Sequence, residues 1–405
     1  MSNPVWDTIV IGGGASGLAA AISAAENGRR VLLLEKGARI GRKILASGNG
    51  RCNLMNVSAP RYYGDASFAE QALRSCGVSA LKAFFHRYGL RLTEETEGRV
   101  YPMTLQAASV LDALKRAIEL NRVQVRCDAP VEYVEPLPLN VGGGFLVSGS
   151  ALRERAARVI LACGGSAQPK LGGTDDGYAL LSCLGHKILP PRPALAPIRT
   201  EKRAISGLSG LRVRCGVSLL REEAPIHREA GEVLFTDYGV SGICVMQCSR
   251  FAQEGDTLEL NLLPAGDDLP ECMEEELKDR RMRFQTLTPE TLLEGFLMPK
   301  LAYGVLKQAG IPLRGETAGQ ISDDQLRNIL HTAAHYRLRV IGTGGLDQAQ
   351  VTAGGADCRE FYPETMMSRL HPGLYVTGEL LNVDGDCGGF NLMFAFASGL
   401  IAGGA

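Results

Sequence analysis

Asp7-Thr8-Ile9-Val10-Ile11-Gly12-Gly13-Gly14-Ala15-Ser16-Gly17, then the run 18–27, then Val31-Leu32-Leu33-Leu34-Glu35, is the stretch on which the fold turns. The β-branched run 7–11 reads as a buried parallel strand. Gly12, Gly14 and Gly17 stand in the order G-x-G-x-x-G. The alanine-rich run Leu18 to Asn27 reads as a helix that Asn27-Gly28 stops. Residues 31–34 read as the next strand, with Glu35 at its end, 18 residues after Gly17. Each part has a task in holding a dinucleotide. Gly12 permits a tight turn out of the strand, Gly14 leaves room for a pyrophosphate, and Gly17 lets the helix lie close to the sheet. The helix start, at Ala15 and Ser16, offers free N–H groups and a partial positive charge to the phosphates. Glu35 is placed to accept hydrogen bonds from a ribose and disfavours a 2′-phosphate, which argues against NADP here. A glycine fingerprint gains specificity when a strand precedes it and a helix follows, as here.

Outward from this unit, the composition is that of a folded chain. It has 405 residues, 45% hydrophobic and 21% charged, enough for two or three domains. The net charge is -1, and no long basic run suggests a nucleic-acid footprint, so neither nucleic acid nor membrane is expected as a partner. The oligomeric state is left open. The 11 cysteines include no C-x-x-C pair and read as small apolar residues in a reducing cytosol. The N-terminus shows no basic segment followed by an apolar one, so a cytoplasmic location is expected. Residues 387–405 are uncharged but hold Asn391, Ser398 and five glycines, and read as a buried helix. Of the six histidines only His331 and His335 share a helical spacing, without an acidic partner, so no metal site is expected.

The next segment decides between nicotinamide and flavin. Gly41-Arg42-Lys43-Ile44-Leu45-Ala46-Ser47-Gly48-Asn49-Gly50-Arg51-Cys52-Asn53 is polar, basic and dense in glycine. Such a loop can wrap a long extended cofactor with backbone N–H groups and charge-assisted bonds. GRKILASGNGRCNLMN, over residues 41–56, resembles the signature of a bacterial family of NAD(P)/FAD-dependent oxidoreductases. That family includes aminoacetone-oxidase-like proteins and a bile-acid-pathway reductase. Three further stretches are similar to it: Val159-Ile160-Leu161-Ala162-Cys163-Gly164-Gly165, Gly172-Gly173-Thr174-Asp175-Asp176-Gly177, and Tyr375-Val376-Thr377-Gly378-Glu379 with Asp384, Gly385, Asp386, Gly388, Gly389, Phe390 and Asn391. The second also resembles the G-D-G turn of fumarate-reductase-like flavoproteins. The chain departs from the family at Met55 and Cys163, where Thr is usual, and at Met393, where Gln is usual.

The resemblance implies FAD as cofactor and an α/β, Rossmann-like two-dinucleotide-binding FAD domain interrupted by an α+β insert. The expected boundaries are 1–190 and 335–405 for the FAD domain and 191–334 for a substrate-side insert. Within the insert, a β-barrel or sheet is expected over 191–265 and 310–334, with a helical annex over 266–309. A proline cluster at Pro190, Pro191, Pro193 and Pro197 marks the crossing, and residues 211–217 and 257–261 alternate with period two as antiparallel strands do. The candidate cofactor contacts are Gly12, Gly14, Ala15, Ser16, Gly17, Glu35, Lys36, Arg42, Lys43, Ser47, Gly48, Asn49, Gly50, Arg51, Asn53, Val131, Ala162, Gly164, Gly165, Gly378, Glu379, Asp384, Gly388, Gly389, Phe390, Asn391 and Leu392. A helix opening near Asn391 would aim its N-terminus at the flavin pyrimidine. Asn53 and Asn391 bond either backbone or flavin, and Arg51 either contacts flavin or a substrate carboxylate or braces its loop.

Residues 231–242 form the candidate lid over the substrate, with Tyr238 as proton donor and Asp237 as base or orienting group; the bland alternative for both is a strand end with a tight turn. No second G-x-G-x-x-G appears, and Gly342-Thr343-Gly344-Gly345 fits it poorly, so NAD(P)H is expected to dock transiently. Flavin carries the redox chemistry. The favoured reaction is NAD(P)H-linked reduction of an activated C=C bond in an enone-type small molecule, steroid or bile-acid-like. The alternatives are an oxidase of an aminoketone or amine, and a tRNA-modifying or non-catalytic flavin protein.

Overall fold

The computed structural model describes residues 6–263 and 269–405. They divide into two compact units, Met1–Pro193 with Ala349–Ala405, and Ala194–Gln348. Residues 1–5 of the expected FAD domain and 264–268, where the expected barrel meets its annex, lie outside the described residues.

The first unit is built on a seven-stranded sheet. Five strands run parallel: Gln124–Arg126, Val31–Leu34, Trp6–Ile11, Leu152–Leu161 and Leu374–Val376. Phe145–Gly149 and Tyr133–Pro136 extend it antiparallel. The central strand Trp6–Ile11 is buried from Thr8 onward, and its neighbour Val31–Leu34 is apolar and buried throughout, as strands covered on both faces must be. The register lines up the strand ends. Leu34, Ile11, Leu161 and Val376 lie in one row across the sheet. The chain leaves that row at Glu35, Gly12, Ala162 and Thr377, so four separate sequence motifs emerge along one carboxyl edge.

One helix packs on the sheet and a second packs on that helix. The opening helix, Ala15–Glu26, begins three residues earlier than the alanine run suggests. The closing helix, Phe390–Gly404, packs beside it. A Cβ on Gly399 would lie 2.2 Å from the Ser16 carbonyl oxygen, and one on Gly403 2.3 Å from that of Ala20. Glycine is therefore required at both positions, and the matching spacing makes the helices parallel. No helix of the described residues is long and apolar enough to cross a membrane.

The second unit is a closed six-stranded antiparallel barrel with a helical annex. Its strands are Ile198–Thr200, Arg212–Arg221, Ala224–Phe235, Gly239–Ser241, Thr257–Asn261 and Tyr336–Thr343. Val217, Leu219, Val233, Phe235, Leu258, Leu260, Leu338 and Val340 alternate inward to fill it.

Three expectations need correction here. Residues 310–334 are not sheet: Asp323–Ala334 is a helix, started by a capping box between Ser322 and Gln325 and buried along Leu326, Ile329, Leu330 and Ala333. The insert does not end at 334, because Tyr336–Thr343 closes the barrel between Thr257–Asn261 and Ile198–Thr200; the return falls after Gln348, and the entry after Pro193 instead of 190. Residues 231–242 are not a loop that could lift as a lid, since they lie mostly within two hydrogen-bonded barrel strands, leaving only 236–238 as a turn.

Candidate cofactor and active site

Around the opening turn, each glycine meets a different constraint. Gly12 adopts φ +112°, and a Cβ there would lie 2.3 Å from the Ala162 carbonyl oxygen. A Cβ on Gly17 would lie 1.8 Å from the carbonyl oxygen of Gly12. Gly14 is different: it is extended, and a Cβ there would meet nothing within 4 Å. The opening helix thus faces open space at its start, with no capping side chain and no acidic residue in its first turn. Its free N–H groups at Ala15, Ser16 and Gly17 are what a diphosphate requires.

Glu35 is fixed before any ligand arrives. Its Oε2 accepts from the Gly13 N–H at 2.7 Å, and its Oε1 from the Gly37 N–H at 2.7 Å. Each oxygen keeps a second lone pair for a ribose hydroxyl. Lys36 pairs with Asp176 at 3.1 Å. Partial burial opposes ionisation of the Asp176 carboxyl, but the Thr174 hydroxyl and Lys36 ammonium outweigh it and hold its pKa below the usual value. Val131 is half-buried, close in sequence to Ala129, whose N–H bonds the Glu35 carbonyl.

The basic loop folds as a short helix, Arg42–Ala46, and a tight turn in which Gly48 and Asn49 are both left-handed, at φ 55°. The Ser47 hydroxyl donates to the Ile44 carbonyl at 2.6 Å, and Arg42 donates to the Lys170 carbonyl at 2.7 Å. Lys43 reaches across the unit to Glu379, 2.8 Å away. Arg51, after Gly50, pairs with Glu95 at 2.5 Å, and its guanidinium stacks 4.4 Å from the Tyr101 ring centroid. Those two partners occupy the guanidinium as a brace for the loop. Asn53 is buried, with its Oδ1 lacking a partner among the described residues; it lies 2.7 Å from where a Cβ on Gly389 would stand.

At the next strand end, Ala162 is buried, Gly164 turns at φ 76°, and a Cβ on Gly165 would strike the Thr352 hydroxyl at 2.5 Å. Thr352 was not a candidate from sequence, yet it ties this edge together. Its hydroxyl accepts from the Ala167 N–H at 2.9 Å, and its own N–H donates to Glu379 Oε1 at 2.7 Å. Nothing in the sequence of the strand Val351–Ala356 marks it. Cys163 stands beside these glycines, and burial pushes its thiol pKa up to about 12, so it is a neutral packing group at neutral pH.

The fourth strand end supplies Gly378, at φ 66°, whose N–H donates to the Ser398 hydroxyl at 2.9 Å. Beyond it Asp384 is buried in the strand Val383–Gly385, and Gly389 starts the closing helix in the left-handed region. Like the opening helix, this one has no capping side chain and no acidic residue in its first turn. The Asn391 side chain is used by backbone: Nδ2 donates to the Gly385 carbonyl at 2.8 Å, and Oδ1 accepts from the Gly385 N–H at 2.8 Å. It shapes the turn ahead of the helix. Asn56 Nδ2 donates to the Gly388 carbonyl, the Tyr62 hydroxyl donates to the Phe390 carbonyl, and Leu392 is half-buried just inside the helix.

Two uncapped helix starts therefore face the same way. Gly399 is level with Ser16, so the closing helix starts about 12 Å ahead of the opening one at 1.5 Å per residue. A site with one positive helix end for a diphosphate and another set forward for a ring system fits an extended dinucleotide. Glu35, tied to the turn ahead of the opening helix, and the Lys43–Glu379 pair are compatible with FAD.

In the second unit, Asp237 and Tyr238 sit in the turn between Ala224–Phe235 and Gly239–Ser241. The Thr236 N–H and hydroxyl both donate to the Gly239 carbonyl and close that turn. Asp237 is exposed and Tyr238 half-buried, and neither side chain has a hydrogen-bond partner among the described residues.

The chain matches, over residues 6–405, the profile of the family described as HI0933-like protein Rossmann domain. It belongs to that family. The HI0933-like chain is 39% identical over 97% of both lengths to a 3-dehydro-bile acid delta(4,6)-reductase of Clostridium scindens. It is 31% identical to a ribosomal RNA dihydrouridine synthase of Escherichia coli, covering 97% of this chain and 96% of that one. Among solved structures it resembles a 3-ketosteroid delta1-dehydrogenase of Sterolibacterium denitrificans, with a TM-score of 0.53 at 13% identity and 98% coverage of each, which bears on fold alone. The chain is an FAD-dependent oxidoreductase.

Proposed function

We propose that this HI0933-like protein reduces a C=C bond conjugated to a carbonyl, with NAD(P)H as the transient source of electrons. The observation that carries this reading is full-length similarity to two reductases whose named substrates share one chemistry. A steroid 4,6-diene beside a 3-ketone and the 5,6 bond of uracil are both polarised by a conjugated carbonyl. Each accepts hydride at the far carbon and a proton at the near one. Bound FAD supplies the two-electron chemistry.

The chain's own part is placement and electrostatics. The opening helix and Glu35 hold the ADP half, while Lys43 and Glu379 brace the strand end. The forward-set, uncapped start of the closing helix would hold the pyrimidine side of FAD, and its N–H groups would stabilise negative charge there. Reduction also needs a proton for the near carbon. Tyr238, half-buried and without an internal partner, is the proposed donor, with Asp237 beside it to orient substrate.

A free enone, steroid or bile-acid-like, is the first reading of the substrate, supported by the 39% relative. A uracil ring in ribosomal RNA is the second, supported by the 31% relative along the whole chain. The test is anaerobic. NADH or NADPH should bleach the flavin absorbance of the holoprotein, and a 3-keto-4-ene steroid or a uridine-containing RNA should restore it. If neither pyridine nucleotide bleaches it and neither acceptor restores chemically reduced protein, the proposal fails.

A further inference from the structure

The second unit carries a set of cations that its own acids leave unpaired. Lys202 and Arg203 stand exposed on the short helix Lys202–Ile205. The loop after it reads Ser206-Gly207-Leu208-Ser209-Gly210, and all of it except Leu208 is exposed. The N–H groups of Gly207 and Ser209 make no backbone hydrogen bond among the described residues, while Gly210 donates to the Phe235 carbonyl and pins the loop to the barrel.

Against this loop lies the helix Pro299–Gln308. A Cβ on Gly304 would stand 3.1 Å from the Tyr336 hydroxyl and 3.7 Å from Leu208. The Tyr336 hydroxyl in turn donates to the Ala204 carbonyl at 2.5 Å, so the three elements are locked to one another. Lys300 and Lys307 sit four residues before and three residues after Gly304, on the same stripe of the helix, and both are exposed. Tyr303 adjoins them and is 46% exposed. None of Lys202, Arg203, Lys300 and Lys307 has an ion-pair partner among the described residues. The nearby acid Glu201 is already faced by Arg339 at 3.6 Å.

We infer that this face of the barrel unit docks the phosphodiester backbone of RNA. Four free cations, two serine hydroxyls and unpaired amides of a glycine-bearing loop form a phosphate-binding surface, and an exposed tyrosine offers a ring on which an unstacked base can lie. The net charge of -1 does not display such a cluster, because it averages the face with the acidic remainder of the chain. The inference rests on the proposed reduction of uracil, and it adds where the nucleic acid is gripped.

The test compares the holoprotein with its fourfold variant Lys202→Ala, Arg203→Ala, Lys300→Ala, Lys307→Ala. Binding to unmodified ribosomal RNA transcribed in vitro is measured across a salt series. Each lost phosphate contact removes about 0.7 to 0.9 from the slope of log K against log salt, so the variant's slope should be shallower by about 3. Its affinity at low salt should fall at least about tenfold, with reduction of a small enone unchanged. Wild-type binding with an unaltered slope in the variant would overturn the docking face. Dihydrouridine in the same RNA, counted by mass spectrometry after turnover, separates the two ideas. If it forms equally with both proteins, the uracil reading stands and the face does not; if none forms and no RNA binds, both fall. Retention on phosphatidylserine vesicles without RNA binding would also overturn the face.

Discussion

Three glycines of one motif do unlike work, and the difference makes them separable by mutation. Gly14 has room for a side chain within the chain itself and needs no unusual dihedral. Gly14→Glu should therefore keep its fold and melt with wild-type protein stripped of FAD, while itself losing FAD, seen as a colourless but folded protein by absorbance and circular dichroism. Yellow protein would refute the placement of the diphosphate. Gly17→Ala should behave in the opposite manner. Its Cβ would stand 1.8 Å from a backbone oxygen that cannot retreat, costing about 3 kcal/mol or more by denaturant titration. At Tyr238 the expectation is kinetic: Tyr238→Phe should retain FAD and slow substrate reduction at least about tenfold, without changing flavin bleaching by NAD(P)H. Equal turnover would remove Tyr238 as the proton donor. The glycines and Glu35 were legible in sequence because the turn constrains residue type directly. Arg51 and Asn391 were legible only as alternatives, since their partners, Glu95 with Tyr101 and the 385–386 backbone, are set by tertiary packing.

Among the elements, the link between the segments at 184–187 and 358–371 is tuned to protonation. The Ser368 hydroxyl oxygen accepts from two backbone N–H groups, those of Leu370 and His371, so its hydrogen is left for His186 Nε2 at 3.0 Å. His186 is thereby fixed as the neutral ring, donating from Nδ1 to Glu360 at 2.7 Å. Burial lowers its pKa below the ordinary 6.5, partly offset by Glu360. A base whose folded value is depressed contributes fully above its unfolded value and loses that contribution as pH falls below it. Wild-type stability should decline below pH 6.5 more steeply than that of His186→Gln, measured by urea titration at several pH values; parallel curves would dismiss the latch. At this scale the strands Thr257–Asn261 and Val31–Leu34 were readable to the residue, because their periodicity and burial agree. The helix Asp323–Ala334 is announced in sequence by its Ser322 and Gln325 capping pair, a local signal more specific than the expectation of continuing sheet.

For the whole molecule, the insert begins and ends on neighbouring strands. Ile198 pairs with Thr343, and the Gly344 N–H donates to the Pro197 carbonyl. A closed barrel with its own core and adjacent ends should fold alone. The fragment 194–348 is expected to unfold cooperatively in urea, and gradual loss of signal would refute its independence. The proline cluster announced the entry to this unit, but the exit was invisible because the strand at 336–343 resembles its neighbours on either side of the boundary. The zip between the opening and closing helices has a different consequence. Ser16 and Ala20 stay uncovered until Gly399 and Gly403 have been made, nearly the full length of the chain later. A nascent polypeptide must therefore carry its diphosphate cradle half-built past a barrel that can already be finished, which makes cofactor capture a late event in synthesis and the first strand–helix unit a natural client for chaperones.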